Sequence, residues 1–171
     1  NFDLEKRISG EAAMKMIFSS ALSSGILLFG ISLLYGATGT LSFSQLPGLL
    51  DGSSFQLMAF LMIFTGFAFK LSMVPFHFWT ADVYEGSPVP VTAFLSVVSK
   101  GAMAFVFVSV LYTVFKPLAT VWYAAIAFFA VLSMTVGNLF AIRQDNMKRL
   151  LAFSSIAQVG YLLIGIYILI K

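Results

Sequence analysis

Lys15, Lys70 and Lys100 each lie inside a long apolar stretch of a 171-residue chain in which only 10% of residues are charged. A lysine ammonium is a compact charge whose hold on its proton responds strongly to burial, so a buried lysine is chemically suited to carrying protons. A charge near the centre of a bilayer costs on the order of 3 kcal/mol, and such groups normally face the protein interior on a functional path. Lys100 is the sharpest case. It stands near the middle of VTAFLSVVSKGAMAFVFVSVLYTVF, too far from either end for its stem to reach the interface. The plainer reading is a structural pair with a carboxylate on another helix.

Lys70 lies in FTGFAFKLSMVPFHFW, five residues before Pro75. Proline cannot donate a backbone hydrogen bond to a continuing helix, so this span is predicted to break between Leu71 and Pro75. Broken spans at membrane depth occur where backbone lines a hydrated cavity or an ion path. The competing reading is a lysine at a span end, snorkelling to the interface. Lys15 sits about one turn inside the first span, where snorkelling and function compete evenly. His77, just past Pro75, carries the one side chain here that titrates near neutrality when unperturbed. A lone histidine is more often an interface residue with a single hydrogen bond; beside Lys70 and a broken helix it becomes a candidate relay member.

No span carries Asp or Glu near its centre. Asp82 and Glu85 fall in a connection and Glu11 at the first boundary, so an acidic partner for the lysines is expected outside this chain. Hydroxyl residues recur in the spans, among them Ser19, Ser20, Ser23, Ser24, Thr65, Thr92, Ser96, Ser99, Ser154 and Ser155. They permit close helix packing and could hold water chains, packing being the commoner role. The chain contains no phosphate-binding loop, catalytic triad or redox motif.

The elements that must place these lysines are five apolar segments, at 12–35, 55–76, 89–115, 119–142 and 150–170. Each reaches the roughly 20 helical residues that a hydrocarbon core requires. Asp51-Gly52-Ser53-Ser54 offers an N-terminal cap for the second. The fold class is therefore an all-α polytopic membrane protein of about five transmembrane helices. With alternating spans, Lys6, Arg7, Arg143, Lys148 and Arg149 share one side and Lys116 and Lys171 the other. By the positive-inside rule the richer side, with connections 77–88 and 143–149, faces the cytoplasm or matrix.

Composition supports the membrane reading: 60% of residues are hydrophobic, and mean hydropathy is +0.97. A soluble chain this long must still cover its outside with polar groups. The net charge of +3 is too scattered for a nucleic-acid surface. With no cysteine, thiolate metal sites and iron–sulfur clusters are excluded for this chain, and a single histidine cannot build a metal site. The chain begins at Asn1 without a signal pattern, and both ends read as cuts within a longer protein, or as a natural fragment that needs partners.

The stretch FKLSMVPFHFWTADVYEGSPVPVTAFLSVVSK (69–100) closely resembles subunit N (subunit 2 in mitochondria) of the antiporter-like, proton-translocating subunits of respiratory NADH:quinone oxidoreductase, complex I. GNLFAIRQDNMKRLLAFSSIAQVGYLLIGI (137–166) and EAAMKMIFSSALSSGILLFGISLLYGATG (11–39) fit the same family. The resemblance implies a larger fold of inverted repeats, each with a broken helix, of which this chain is the central portion. It implies proton translocation through Lys100 as central carrier, Lys70 on the broken helix, and Lys15 and His77 as lateral or inlet members. The family's glutamate on an earlier span would lie before Asn1, and the lysine of the second repeat after Lys171. Asp145-Asn146-Met147 and Ala81 depart slightly from the commoner wording.

No cofactor is expected in this chain; NADH, flavin (FMN), iron–sulfur clusters and quinone would belong to other subunits of the complex. Its partners would be the other membrane-arm subunits, those supplying the missing parts of the fold, and the lipid bilayer, without nucleic acid. Nineteen phenylalanines suit an AT-rich mitochondrial genome, hence the mitochondrial inner membrane, with a bacterial plasma membrane as alternative. Two rival functions remain open on sequence: a subunit of a multi-subunit cation/proton antiporter, and a membrane-arm subunit that translocates nothing.

Overall fold

A computed structural model of the chain describes residues 7–169, with side chains through Ile168; Lys6 and Lys171, two of the charges used to assign sidedness, lie outside them. Every regular element among the described residues is helical. α1 (Arg7–Thr38) runs 32 residues, about 48 Å at the helical rise, which exceeds the ~30 Å of a hydrocarbon core. It ends where Gly39 turns to φ 71° and its N–H reaches the Tyr35 carbonyl at 2.7 Å. The left-handed conformation there suits glycine, which lacks a Cβ.

A short α2 (Leu46–Leu49) leads to α3 (Ser54–Leu71). The predicted cap does not form, since Ser53 makes no side-chain hydrogen bond to the helix. Buried Gln56 holds the turn instead, accepting the N–H groups of Asp51 and Gly52 and donating to the Leu49 carbonyl at 2.9 Å.

The predicted break is present. α3 ends at Ser72, in the left-handed region at φ 61°, and Met73 N–H folds back to the Ala68 carbonyl at 2.9 Å. The backbone freed by the break finds partners locally, as a water-poor environment requires. Val74 N–H donates to the Ser133 hydroxyl at 3.1 Å, Trp79 Nε1 to the Phe69 carbonyl at 3.0 Å, and the Thr80 hydroxyl to Ser72 Oγ at 2.7 Å.

The sequence reading of 77–88 as a connection is corrected here. The chain resumes as α4 (Phe78–Gly86), a second half-helix packed along α1. Asp82 and Glu85 made it look like a loop, yet both point to basic partners on other helices. Close approach at its end depends on Gly86, where a Cβ would lie 2.5 Å from Ala12 Cβ and 2.7 Å from the Ile8 carbonyl oxygen. Thus α3 and α4 form one broken crossing, antiparallel to α1.

α5 (Val89–Ala93), a π-helical stretch (Phe94–Ser99) and α6 (Lys100–Thr113) form one rod. A single-turn 3₁₀ segment at Lys116–Leu118 precedes α7 (Ala119–Ile142), which coincides with the predicted span, and α8 (Met147–Leu169) follows. Among the described residues, five helices are long and apolar enough to cross a membrane. Much of the core between them is aromatic: Phe60 meets Phe115 at 4.9 Å, and Phe64 and Phe67 meet Phe107 at 5.6 and 5.3 Å. Such pairs add about 0.5–1.5 kcal/mol beyond area burial.

Candidate functional site

Lys100 opens α6 directly after the π-helical stretch. It lies about 17 Å along its rod from Val89, close to mid-span by helical rise. Short π-helical stretches inside α-helices are rare and frequent at functional sites, because the extra residue re-aims the side chains around it. Lys100 is buried, at 7% exposure. Its ammonium donates to the Ser155 hydroxyl on α8 at 2.8 Å and stands 5.6 Å over the Tyr84 ring of α4. Among the described residues no ion pair includes it.

Lys100 lines a cavity of 720 Å³ shared by α4, α5, α6 and α8, whose polar wall includes Thr92, Ser96, Ser154 and Ser155. Lys148 also lines it. Most of the remaining wall is apolar, so these hydroxyls and the Lys100 ammonium are among its few polar groups.

Lys70, near the end of α3, is half-buried and donates to the Ser24 hydroxyl of α1 at 3.2 Å. It lines a separate cavity of 120 Å³ with Ser19, Ser20, Ser23 and Ser99, room for about four waters at the ~30 Å³ each occupies in the liquid. Ser99 adjoins Lys100 in sequence, so the Lys100 rod forms a wall of both cavities. The structure therefore brings Lys70 and Lys100 to neighbouring cavities on either side of one rod. Hydroxyl residues that the sequence suggested for packing are the direct partners of both.

Lys15 overturns one expectation. Its acidic partners lie within the chain: it pairs with Asp82 on α4 at 2.6 Å and with Glu11 one turn back at 2.5 Å. Asp82 also binds Arg149 of α8 at 2.9 Å, and Arg149 reaches Glu85 at 2.8 Å. Asn146 donates to Glu85 at 2.8 Å, while Lys148 donates to the carbonyls of Glu85 and Ser87 at 3.3 and 2.9 Å, closing the carbonyl end of α4. This network ties α1, α4 and α8 together at one end of the bundle. Its side chains are 27–62% exposed, so solvent weakens each pair.

His77 is buried at 5% exposure beside Phe78, Phe140 and Phe153, with ring centroids 4.5, 6.4 and 6.4 Å away. It lines neither lysine cavity. The break places it near Lys70 in sequence but turns it to the opposite, aromatic side. Among the described residues, no group of three His, Asp or Glu side chains gathers as a metal site.

Sequence reasoning missed Tyr84, Asp82 and Arg149 as site members. Asp82 and Glu85 carry a faint signal, since spacing of three places them on one face of a helix once α4 is recognised.

The family model for the NADH:quinone oxidoreductase/Mrp antiporter transmembrane region matches residues 1–170. NADH-quinone oxidoreductase subunit N of Phocaeicola vulgatus is 50% identical over 165 residues, which is 96% of this chain and 35% of that relative. The chain thus spans about a third of the length of the curated relatives it matches. Among solved structures, a chain of respiratory complex I from Thermus thermophilus superposes with TM-score 0.81 at 36% identity, covering 97% of this chain and 36% of that one. A chain of the Mrp complex from Dietzia gives TM-score 0.87 at 27% identity, covering 94% and 30%. This chain is a multi-pass membrane protein segment that belongs to the NADH:quinone oxidoreductase/Mrp antiporter transmembrane family.

Proposed function

We propose that this chain is the central portion of a subunit N of proton-translocating NADH:quinone oxidoreductase, and that its lysines carry protons through the membrane arm. One observation carries the reading. Lys100 is buried near mid-span, paired with a hydroxyl rather than a carboxylate, and open to a cavity that Lys148 also lines. A cation retained there without a counter-ion is costly, and a hydroxyl partner leaves it free to exchange its proton.

In this reading Lys100 is the central carrier and Lys70 its neighbour across the rod. Lys15 is a lateral member tethered by Asp82, and His77 is an inlet member only through its place beside the break, since its ring lines neither lysine cavity. Protons reach Lys100 from the end carrying Arg7, Arg143, Lys148 and Arg149, which the positive-inside rule turns to the cytoplasm or matrix. The bacterial relatives favour a plasma membrane over a mitochondrial one. NADH, FMN, iron–sulfur clusters and quinone bind other subunits, and redox energy arrives here as a coupling between distant sites. The partners are the other membrane-arm subunits and the remaining parts of the same fold.

The second reading, exchange of a cation for protons, draws on the likeness to the Mrp complex at TM-score 0.87. Native gel separation of the mildly extracted assembly distinguishes the two. A band holding this chain that oxidises NADH supports the first, and a clean band without NADH activity, flavin or iron supports the second.

A further inference from the structure

The Tyr84 hydroxyl is buried in a tyrosine that is 1% exposed, and it closes no hydrogen bond of good geometry. A buried O–H left unpaired is costly, so an orphan beside a working group needs an explanation. The hydroxyl faces Ser155. Ser155 has one donor and two acceptor positions. Its O–H donates to the Ala152 carbonyl at 2.8 Å, and it accepts Lys100 Nζ at 2.8 Å. One acceptor position remains, on the atom that the Tyr84 hydroxyl faces. Tyr84 is itself fixed, because the Thr92 hydroxyl donates to its backbone carbonyl at 3.2 Å and the Lys100 ammonium stands over its ring.

We propose that Tyr84 and Ser155 are a positioning pair for Lys100 that serves its charged and its neutral form in turn. The proposal rests on Lys100 being the proton carrier. While Lys100 is an ammonium it donates to Ser155 Oγ, the Ser155 O–H stays on Ala152, and the Tyr84 ring face meets the cation. When Lys100 releases its proton to water in the cavity, its nitrogen gains a lone pair and needs a donor. The Ser155 O–H swings from the Ala152 carbonyl to Nζ, and the Tyr84 O–H then donates to the Ser155 oxygen. Both hydroxyls keep their own protons throughout and only exchange acceptors. In the charged arrangement the Tyr84 hydroxyl rests against Ser155 without closing a bond of good geometry, and in the neutral one it closes that bond. Its effect on Lys100 is transmitted through Ser155.

The test uses the full-length subunit in the assembled complex, in inverted membrane vesicles, reading NADH-driven proton uptake per NADH oxidised, with assembly checked on native gels. Tyr84→Phe keeps the ring and is expected to lower proton uptake about two- to tenfold, the effect of one hydrogen bond on a rate. Ser155→Ala lowers it further, and Ser155→Thr, which retains a hydroxyl, recovers most of the loss. The Tyr84→Phe/Ser155→Ala double variant is expected to match Ser155→Ala alone, because contacting residues acting in series are non-additive. Undiminished uptake in Tyr84→Phe, or losses that multiply in the double variant, overturns the proposal. Lys100→Ala is the companion: if it pumps normally, the carrier reading itself fails; if it is inactive while Tyr84→Phe is intact, only the positioning pair fails. Should Ser155→Ala not assemble, Tyr84→Phe against Ser155→Thr still decides, since equal losses contradict a hydroxyl-specific role.

Discussion

Lys15 of α1 donates to Asp82 of α4 at 2.6 Å, and Asp82 simultaneously accepts Arg149 of α8 at 2.9 Å. One carboxylate therefore fixes the second half of the broken crossing against two neighbouring helices. Asp82→Asn weakens both pairs and is expected to lower the thermal stability of the assembled subunit modestly, because both pairs are partly exposed. Lys15→Met is expected to cost less, because Arg149 still holds Asp82 and the lost Glu11 pair lies within α1. Thermal inactivation of the two variants checks the order. The same pair of variants separates roles for Lys15: if Lys15→Met abolishes proton uptake while Asp82→Asn preserves it, Lys15 carries protons as well as bracing α4.

The break between α3 and α4 leans on Ser133 of α7. Its hydroxyl, on a residue buried at 0% exposure, is the acceptor for Val74 N–H at 3.1 Å. Ser133→Ala strands that N–H in the interior, at a cost of about 1–3 kcal/mol. Earlier thermal inactivation of the assembled complex is the expected result. An unchanged profile would show that the break finds its partners elsewhere.

Gly86 sets how closely α4 approaches α1. A methyl there meets Ala12 Cβ at 2.5 Å and the Ile8 carbonyl oxygen at 2.7 Å, the second being backbone that cannot rotate away. Gly86→Ala is expected to cost about 1–3 kcal/mol through overpacking and to thin the assembled band on a native gel. Gly10→Ala, with nothing within 4 Å of the added methyl, is expected to assemble normally. Equal assembly of the two variants contradicts the packing described for α4.

The five crossings were legible because a run of some 20 apolar residues has few other uses, and α7 matched its predicted bounds. Pro75 announced the break through its missing N–H. What followed the break was not legible: α4 has only 9 residues, and its two carboxylates gave it the look of a loop. The partners of the lysines were hidden for a different reason. Asp82 lies 67 residues from Lys15, and Ser155 lies 55 from Lys100. Only the helix packing brings them together. Period and composition identify which residue is out of place in lipid, but tertiary structure decides what it meets. The π-helical stretch before Lys100 leaves no cue in FLSVVS that separates it from an ordinary helical turn. His77 is close to Lys70 in sequence, yet its ring lies against Phe140 and Phe153 and not in the Lys70 cavity.

The central claim is that Lys100 carries the translocated proton. The most direct measurement is the number of protons moved per NADH oxidised by the assembled complex bearing Lys100→Ala, in sealed vesicles. The account predicts a marked fall in that ratio, or loss of turnover where oxidation and translocation stay coupled, with the subunit still assembled. A normal ratio at normal turnover would contradict it.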